Sequence, residues 1–210
     1  MQIKELQKLI ESDLSKGLMI PRVLLQKFHL FDEAARDSVL CMDSTHFPFY
    51  YHLGKYVKPK SMLEIGSGLG LHSGCFMASC KTVERFYGVH LVHKENSWRL
   101  ARSNILLANE NLRVGPPGKF TMSISGFKMV APKCIEEKWD MVFLNEAFEY
   151  DEYRFALDIL WESLNLDGYI IVDKIFSEDI CRKGFMDLAK AKNREWAEIN
   201  TLYGSGIIRK

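Results

Sequence analysis

What the chain lacks narrows its class before any motif is read. Neither sign of charge dominates: 28 lysines and arginines face 27 aspartates and glutamates, for a formal charge of +1. No global field therefore draws the chain to a phosphate backbone or an anionic lipid surface. No apolar run approaches the roughly 20 residues that cross a bilayer. The first residues, Met1-Gln2-Ile3-Lys4-Glu5, carry an acid early and no long apolar core, which argues against a secretory signal. A soluble, cytoplasmic chain with no membrane or nucleic-acid partner is the expectation. Cys-x-x-Cys pairs are also missing. Cys41, Cys75, Cys80, Cys134 and Cys181 are odd in number and widely spaced, so a disulfide framework or a cysteine-based zinc site has little support. They read as small buried hydrophobes in a reducing compartment.

Several catalytic signatures are absent as well. The six histidines, His29, His46, His52, His72, His90 and His93, form no His-Glu-x-x-His zinc motif. There is no Gly-x-Ser-x-Gly nucleophile elbow and no Walker phosphate loop. Arg182-Lys183 and Lys190–Arg194 lie on a mixed-charge helix and read as a solvated face, since a nucleic-acid footprint needs a denser stripe. No repeat, low-complexity run or Gly/Ser linker divides the chain.

What is present is enough apolar side chain for a core: 47% of the 210 residues are hydrophobic and 26% charged, the balance of one globular domain. From residue 60 onward short apolar runs alternate with amphipathic stretches. Strands are expected at Ser61–Ile65, Arg85–Leu91, Lys119–Ile124, Trp139–Leu144 and Tyr169–Asp173. Helices are expected at about Leu71–Lys81, Lys94–Asn109, Lys128–Glu137, Asp151–Leu164 and Glu178–Lys192. That rhythm means parallel strands with helical crossovers, an α/β sheet covered by helices on both faces. Glu195–Leu202 and Gly206–Arg209 flank Tyr203-Gly204-Ser205 and read as a closing hairpin. The sheet then has seven strands, with the last antiparallel.

Residues 1–45 read as a helical extension or lid ahead of a domain at 46–210. Ile3, Leu6, Leu9, Ile10 and Leu14 share one helical face, and Gly17 supplies a stop. A second helix is expected after Pro21, and a third from about Pro48 to Val57, Pro48 fitting a first turn where its missing N–H has no partner. These helices either pad the sheet or cover its edge, with Phe47, Phe49, Tyr50 and Tyr51 lining a substrate pocket. A helical arm of this kind could also carry a homodimer contact.

Chemistry concentrates in Met62-Leu63-Glu64-Ile65-Gly66-Ser67-Gly68-Leu69-Gly70. An apolar strand runs into alternate glycines, which allow a sharp turn and close ligand approach, and a helix start follows with its free N–H donors. Leu71 stands where a dinucleotide fingerprint has its third glycine, against a nicotinamide or flavin cofactor. Glu64 ends an apolar strand, where an acid is costly unless a cation or N–H donors pair with it.

Glu64 through Gly70 resembles the first motif of the class I S-adenosylmethionine-dependent methyltransferases, an acid, any residue, then Gly-x-Gly-x-Gly. The likeness runs over about Phe47–Lys210. It is nearest to the small-molecule O-methyltransferase branch, whose strand-four and strand-five segments resemble Phe143–Tyr150 and Leu166–Asp173. The resemblance implies a Rossmann-like sheet and S-adenosylmethionine as cofactor. Glu64 would lie near the methionine amino end, with Gly66, Ser67, Gly68 and Gly70 forming the loop around it. It places His90 and Leu91 where the family carries a ribose-binding acid. Ser125 and Gly126 stand near the adenine position, where Phe127 could pack on the base, and Asn145 ends strand four. His93 and Glu95 could compensate for the missing ribose acid.

Metal-dependent members use acids where this chain has Asn145 and Asp173-Lys174. A hard cation such as Mg²⁺ wants several oxygen ligands with net negative charge, so metal independence is expected. The implied reaction is methyl transfer to an oxygen or nitrogen of a small molecule, with Asp173 and Glu146 as candidate catalytic bases. Loss of the family acids leaves a second reading, a catalytically inactive binding or scaffold protein of this fold, and more remotely an aminopropyl transferase.

Overall fold

The structure, a computed structural model, describes residues 1–17, 20, 45–90, 97–110, 112, 119–146 and 149–210. The expected helix after Pro21, Cys41, Leu91, His93 and Glu95 lie outside the described residues. In chain order the elements are α1 (Ile3–Ser15), α2 (His46–Tyr56), β1 (Ser61–Ile65), α3 (Leu71–Ser79), β2 (Arg85–His90), α4 (Trp98–Ala108) and β3 (Phe120–Ile124). Then come α5 (Phe127–Glu136), β4 (Trp139–Leu144), α6 (Tyr150–Ser163), β5 (Leu164–Asp173), α7 (Asp179–Ala191), β6 (Trp196–Ile199) and β7 (Ser205–Arg209).

The seven strands line up in the order β3-β2-β1-β4-β5-β7-β6. All neighbours from β3 to β5 are parallel, and β7 runs antiparallel to both β5 and β6. This is the α/β sheet with an antiparallel last strand that the alternation of elements and the closing hairpin predicted. The chain leaves β1 toward β2 and β3, then returns to the other side of β1 to lay down β4. Such a reversal opens a crevice beyond the carboxyl ends of the two strands, the usual place for a ligand in open α/β sheets.

Strand alternation sorts the core into two layers. Met62, Phe86, Met141, Phe143, Ile171 and Ile207 face α1, α2 and α3, packing with Leu6, Ile10, Phe49, Leu53 and Phe76. Leu63, Ile65, Val142, Leu144, Ile170 and Val172 face α5, α6 and α7, packing with Val130, Leu157, Leu160 and Phe185. Glu64 shares the first of these faces with Met62, so its carboxylate points among the helices α2 and α3.

β5 is longer than its hydrophobic run suggested. Leu164 already pairs with Trp139, and the register then shifts before Tyr169 pairs with Met141. The Leu166-Asp167-Gly168 turn is absorbed as an irregularity, with Asp167 at φ +68°. Asp140 organises this end of the sheet. Its Oδ2 accepts from the N–H groups of Lys60 and Ser61 at 2.9 and 3.0 Å, and its Oδ1 accepts from Asn165 Nδ2 at 2.7 Å.

α1 packs its apolar stripe, Ile3, Leu6 and Ile10, into the first core layer. Gln7 donates to the Glu198 carbonyl of β6 at 3.2 Å. Asp13 accepts from Tyr56 at 2.8 Å, and His52 Nδ1 and Lys55 Nζ stand 3.1 and 3.4 Å from it. Gly17, at φ +64°, ends the helix where a stop was expected. Cys75, Cys80, Cys134 and Cys181 are free and buried.

Candidate functional site

β1 delivers the chain into the glycine loop at the crevice. Gly66, Gly68 and Gly70 all have positive φ, +82°, +51° and +71°, a region that L side chains rarely adopt. Their reasons differ. A Cβ on Gly66 would lie 2.9 Å from Glu146 Cβ, and one on Gly70 would lie 2.6 Å from the Ala101 carbonyl oxygen of α4. Packing alone demands these two. Among the described residues a Cβ on Gly68 would meet nothing within 4 Å, so the loop turns its open side there. The loop is fixed from below: Gly66 N–H donates to the Val89 carbonyl at 2.9 Å, and Asn104 Nδ2 donates to the Leu69 carbonyl at 2.9 Å.

Glu64 is fully buried. Asn145 Nδ2 donates to its Oε1 at 3.0 Å, and Tyr50 Oη lies 3.4 Å from Asn145 Oδ1, to which it donates. Oε2 has no hydrogen-bond partner among the described residues. Burial pushes the carboxyl up to about 7, against the pull of His72 and of the Ser73 and Ser67 hydroxyls toward the charged form. Asparagine at the end of β4 now has a physical reason. An acid there would set a second carboxylate against Glu64, whereas the amide donates to it. Tyr50, whose hydroxyl burial holds far above its ordinary range, stays protonated to complete the chain.

A second cluster stands beside the first. Asp173, at the end of β5, is buried, and its Oδ1 accepts from the Lys174 N–H at 2.8 Å. Its Oδ2 lies 3.6 Å from both His46 Nε2, at the start of α2, and His72 Nε2, in the first turn of α3. The two imidazole nitrogens are 3.2 Å apart. Burial pushes Asp173 up, but the histidines and the Lys174 N–H outweigh it and hold the carboxyl below its ordinary value. Burial drives His46 down to about 4, against the pull of Asp173, so its ring is neutral at physiological pH. Phe47 and Tyr50 pack edge-on or tilted against these rings, and Tyr203 closes over His46.

The sequence-derived candidates thus fall into separate groups. Glu64, Gly66, Ser67, Gly68, Gly70 and Asn145 are brought together. Asp173 joins the histidine cluster, while the Glu146 Cβ lies against Gly66. His90 is buried at the end of β2, with Nε2 3.1 Å from Ser97 Oγ. Ser125 and the exposed Gly126 follow β3, Ser125 Oγ donating to the Gly126 carbonyl at 3.3 Å. Two aromatic expectations need correction. Phe127 is buried in the second core layer, with Phe155 at its edge, and so is unavailable to stack on a base. Phe49 likewise points into the core. His46 and His72 were not singled out from the sequence. They lie 26 residues apart in no metal-ligand spacing, and only the fold sets them against Asp173.

No family model matches the chain, and no curated protein matches it. Solved structures do. The chain is similar to an S-adenosylhomocysteine-bound methyltransferase from Podospora anserina, with 16% identity, a TM-score of 0.66, and coverage of 94% of this chain and 92% of that one. It is similar to an O-methyltransferase of tomaymycin synthesis from Streptomyces achromogenes, in complex with S-adenosylmethionine, at 14% identity and TM-score 0.63 over 100% and 98% of the two chains. An O-methyltransferase from Bacillus cereus in complex with S-adenosylhomocysteine gives 14% identity and TM-score 0.62 over 100% of both. At these identities the likeness is one of architecture: the chain has the Rossmann-like fold that these methyltransferases share.

Proposed function

We propose that the chain transfers a methyl group from S-adenosylmethionine to an oxygen or nitrogen of a small molecule, without a Mg²⁺-type cation. The observation that carries this reading is Glu64, a fully buried carboxylate that ends the strand feeding the glycine loop; its Oε2 makes no hydrogen bond of ordinary geometry among the described residues, and the nearby Ser67 and Ser73 groups only partly offset its burial. A buried acceptor of this kind wants a cationic donor, and the methionine ammonium is one. Open space at Gly68 fits close approach of a ligand to the backbone. The neighbours named above, two of them bound to S-adenosylhomocysteine and one to S-adenosylmethionine, support the same cofactor.

When bound, S-adenosylmethionine supplies an electrophilic methyl on its sulfonium. Glu64 holds the ammonium, Asn145 and Tyr50 fix the carboxylate in place, and the loop between Gly66 and Gly70 sets how near the ligand comes. The chain's remaining task is to orient the acceptor and exclude water. Asp173, kept ionised by its neighbours, is a candidate to take the acceptor's proton, and Glu146 a second. Asn145 is committed to Glu64 and Tyr50, which among the described residues leaves no set of oxygen ligands around Asp173 for a hard cation.

The competing reading is a binding protein of the same fold without catalysis, favoured by the burial of His90 against Ser97 where a ribose-binding acid would stand. Incubation with methyl-labelled S-adenosylmethionine and a panel of phenols, catechols, carboxylates and amines separates them. Label transfer that is lost in Glu64→Gln supports the enzyme. Tight cofactor binding with no transfer to any acceptor supports the binding protein.

A further inference from the structure

We propose that His46, His72 and Asp173 form a binding site for a first-row divalent transition-metal ion of the Zn²⁺ class, held through the two Nε2 atoms and Oδ2. The inference does not rest on the methyl-transfer reading, since the ion's ligands include neither Glu64 nor the glycine loop; the two readings share only Asp173.

Geometry is the ground. The three donor atoms form a triangle with sides of 3.2, 3.6 and 3.6 Å. The point equidistant from such corners lies about 2.0 Å from each, the length of Zn–N and Zn–O bonds, roughly 2.0–2.2 Å. A hydrogen-bonded cluster would look different. One proton can bridge the histidine pair at 3.2 Å, but the Asp173 oxygen, 3.6 Å from both rings, is too far for more than a long, weak hydrogen bond to either. It stands where a third ligand belongs.

The surroundings suit an ion as well. Each ligand comes from a regular element: the first residue of α2, the second of α3 and the last of β5. The rings of Phe47, Tyr50 and Tyr203 pack against the imidazoles and fix their orientation. Asp173 Oδ1 is anchored by the Lys174 N–H, with Lys174 at φ +63° turning the backbone back toward the carboxylate. This is the supporting contact that orients a carboxylate ligand. Two imidazoles and one carboxylate select a borderline ion over Mg²⁺ or Ca²⁺, which want oxygen. His72 keeps 18% of its side-chain surface exposed, which gives the ion a way in. Three protein ligands leave a fourth position for water or for an oxygen or nitrogen of an incoming molecule. In the metal-loaded protein Asp173 is a ligand in place of a base.

The full chain, stripped with a chelator, is titrated with Zn²⁺ by calorimetry and with Co²⁺ by visible absorption, with Mg²⁺ as the hard-cation comparison. One equivalent of Zn²⁺ and of Co²⁺ is expected, the Co²⁺ form showing the intense bands of a low-symmetry, four- or five-coordinate site, and Mg²⁺ failing to compete. His72→Ala, at a partly exposed position, should weaken Zn²⁺ binding beyond the roughly 10–100-fold that loss of a mere supporting partner costs, with its melting curve in chelator showing a folded protein. His46→Gln is buried and can unfold, so His72→Ala carries the decision. Glu64→Gln should keep metal affinity while losing S-adenosylmethionine, which separates a failure here from a failure of the methyl-transfer reading. Absence of stoichiometric Zn²⁺ binding, or affinity equal in His72→Ala, overturns the proposal.

Discussion

Glu64 sits fully out of water at the end of an apolar strand, and the cost of that placement can be measured. Its carboxyl is raised to about 7 by burial, while the unfolded chain ionises it in the ordinary range near 4.5. Between those values the folded state holds a proton that the unfolded state has released, so stability of the ligand-free protein should fall as pH rises. Glu64→Gln keeps the shape and removes the charge. It should flatten that slope and stabilise the ligand-free protein above pH 7 by on the order of 2–3 kcal/mol, read from denaturant melts across pH. The glycines give a second test at this scale. Gly70→Ala drives a Cβ to 2.6 Å from the Ala101 carbonyl oxygen and should displace α4 or unfold the protein. Gly68→Ala meets no atom of the described residues and should cost only the roughly 1–2 kcal/mol of a left-handed alanine, yet impair ligand binding. The acid and its glycines were legible in the sequence because they are contiguous. What the spacing could not say was which glycine serves packing and which leaves room.

At the level of elements, Asp140 joins the loop before β1, β4 itself and the start of β5. Burial pushes its carboxyl up, but Asn165 and the N–H groups of Lys60 and Ser61 hold it below its ordinary value. A depressed folded value stabilises above the unfolded pKa and is lost as pH falls through the folded one, below about pH 4. Asp140→Asn should therefore cost about 1–2 kcal/mol at neutral pH and soften the acid unfolding transition. A mutant with unchanged acid unfolding would show that the network contributes nothing. The same contacts explain why β5 begins at Leu164 instead of Tyr169. Periodicity marked the apolar half of the strand, and the polar half is held by Asn165 and by an aspartate at positive φ, neither of which has an alternating pattern. The parallel sheet with its antiparallel last strand, by contrast, followed from the rhythm of elements and the absence of a helix between the last two strands.

Across the molecule, the reversal at β1 and β4 brings together residues that the sequence keeps far apart. Asn145 reaches Glu64 from the neighbouring strand, and Tyr50 reaches Asn145 from α2. His46, His72 and Asp173 converge from two helices and a strand. No local spacing announces such a meeting, so motif reading found the loop and missed the histidines. The buried carboxylate of Glu64, bonded at Oε1 by Asn145, is expected to receive a cationic ligand group. Calorimetric titration of S-adenosylhomocysteine, which carries the same ammonium, into the wild-type chain and Glu64→Gln at pH 8 tests it directly. Saturable one-to-one binding should appear in the wild type and weaken on the order of 10–100-fold in the variant, as loss of a charge-assisted hydrogen bond requires. Equal affinity in the two proteins, or no binding by the wild type at millimolar ligand, would contradict it.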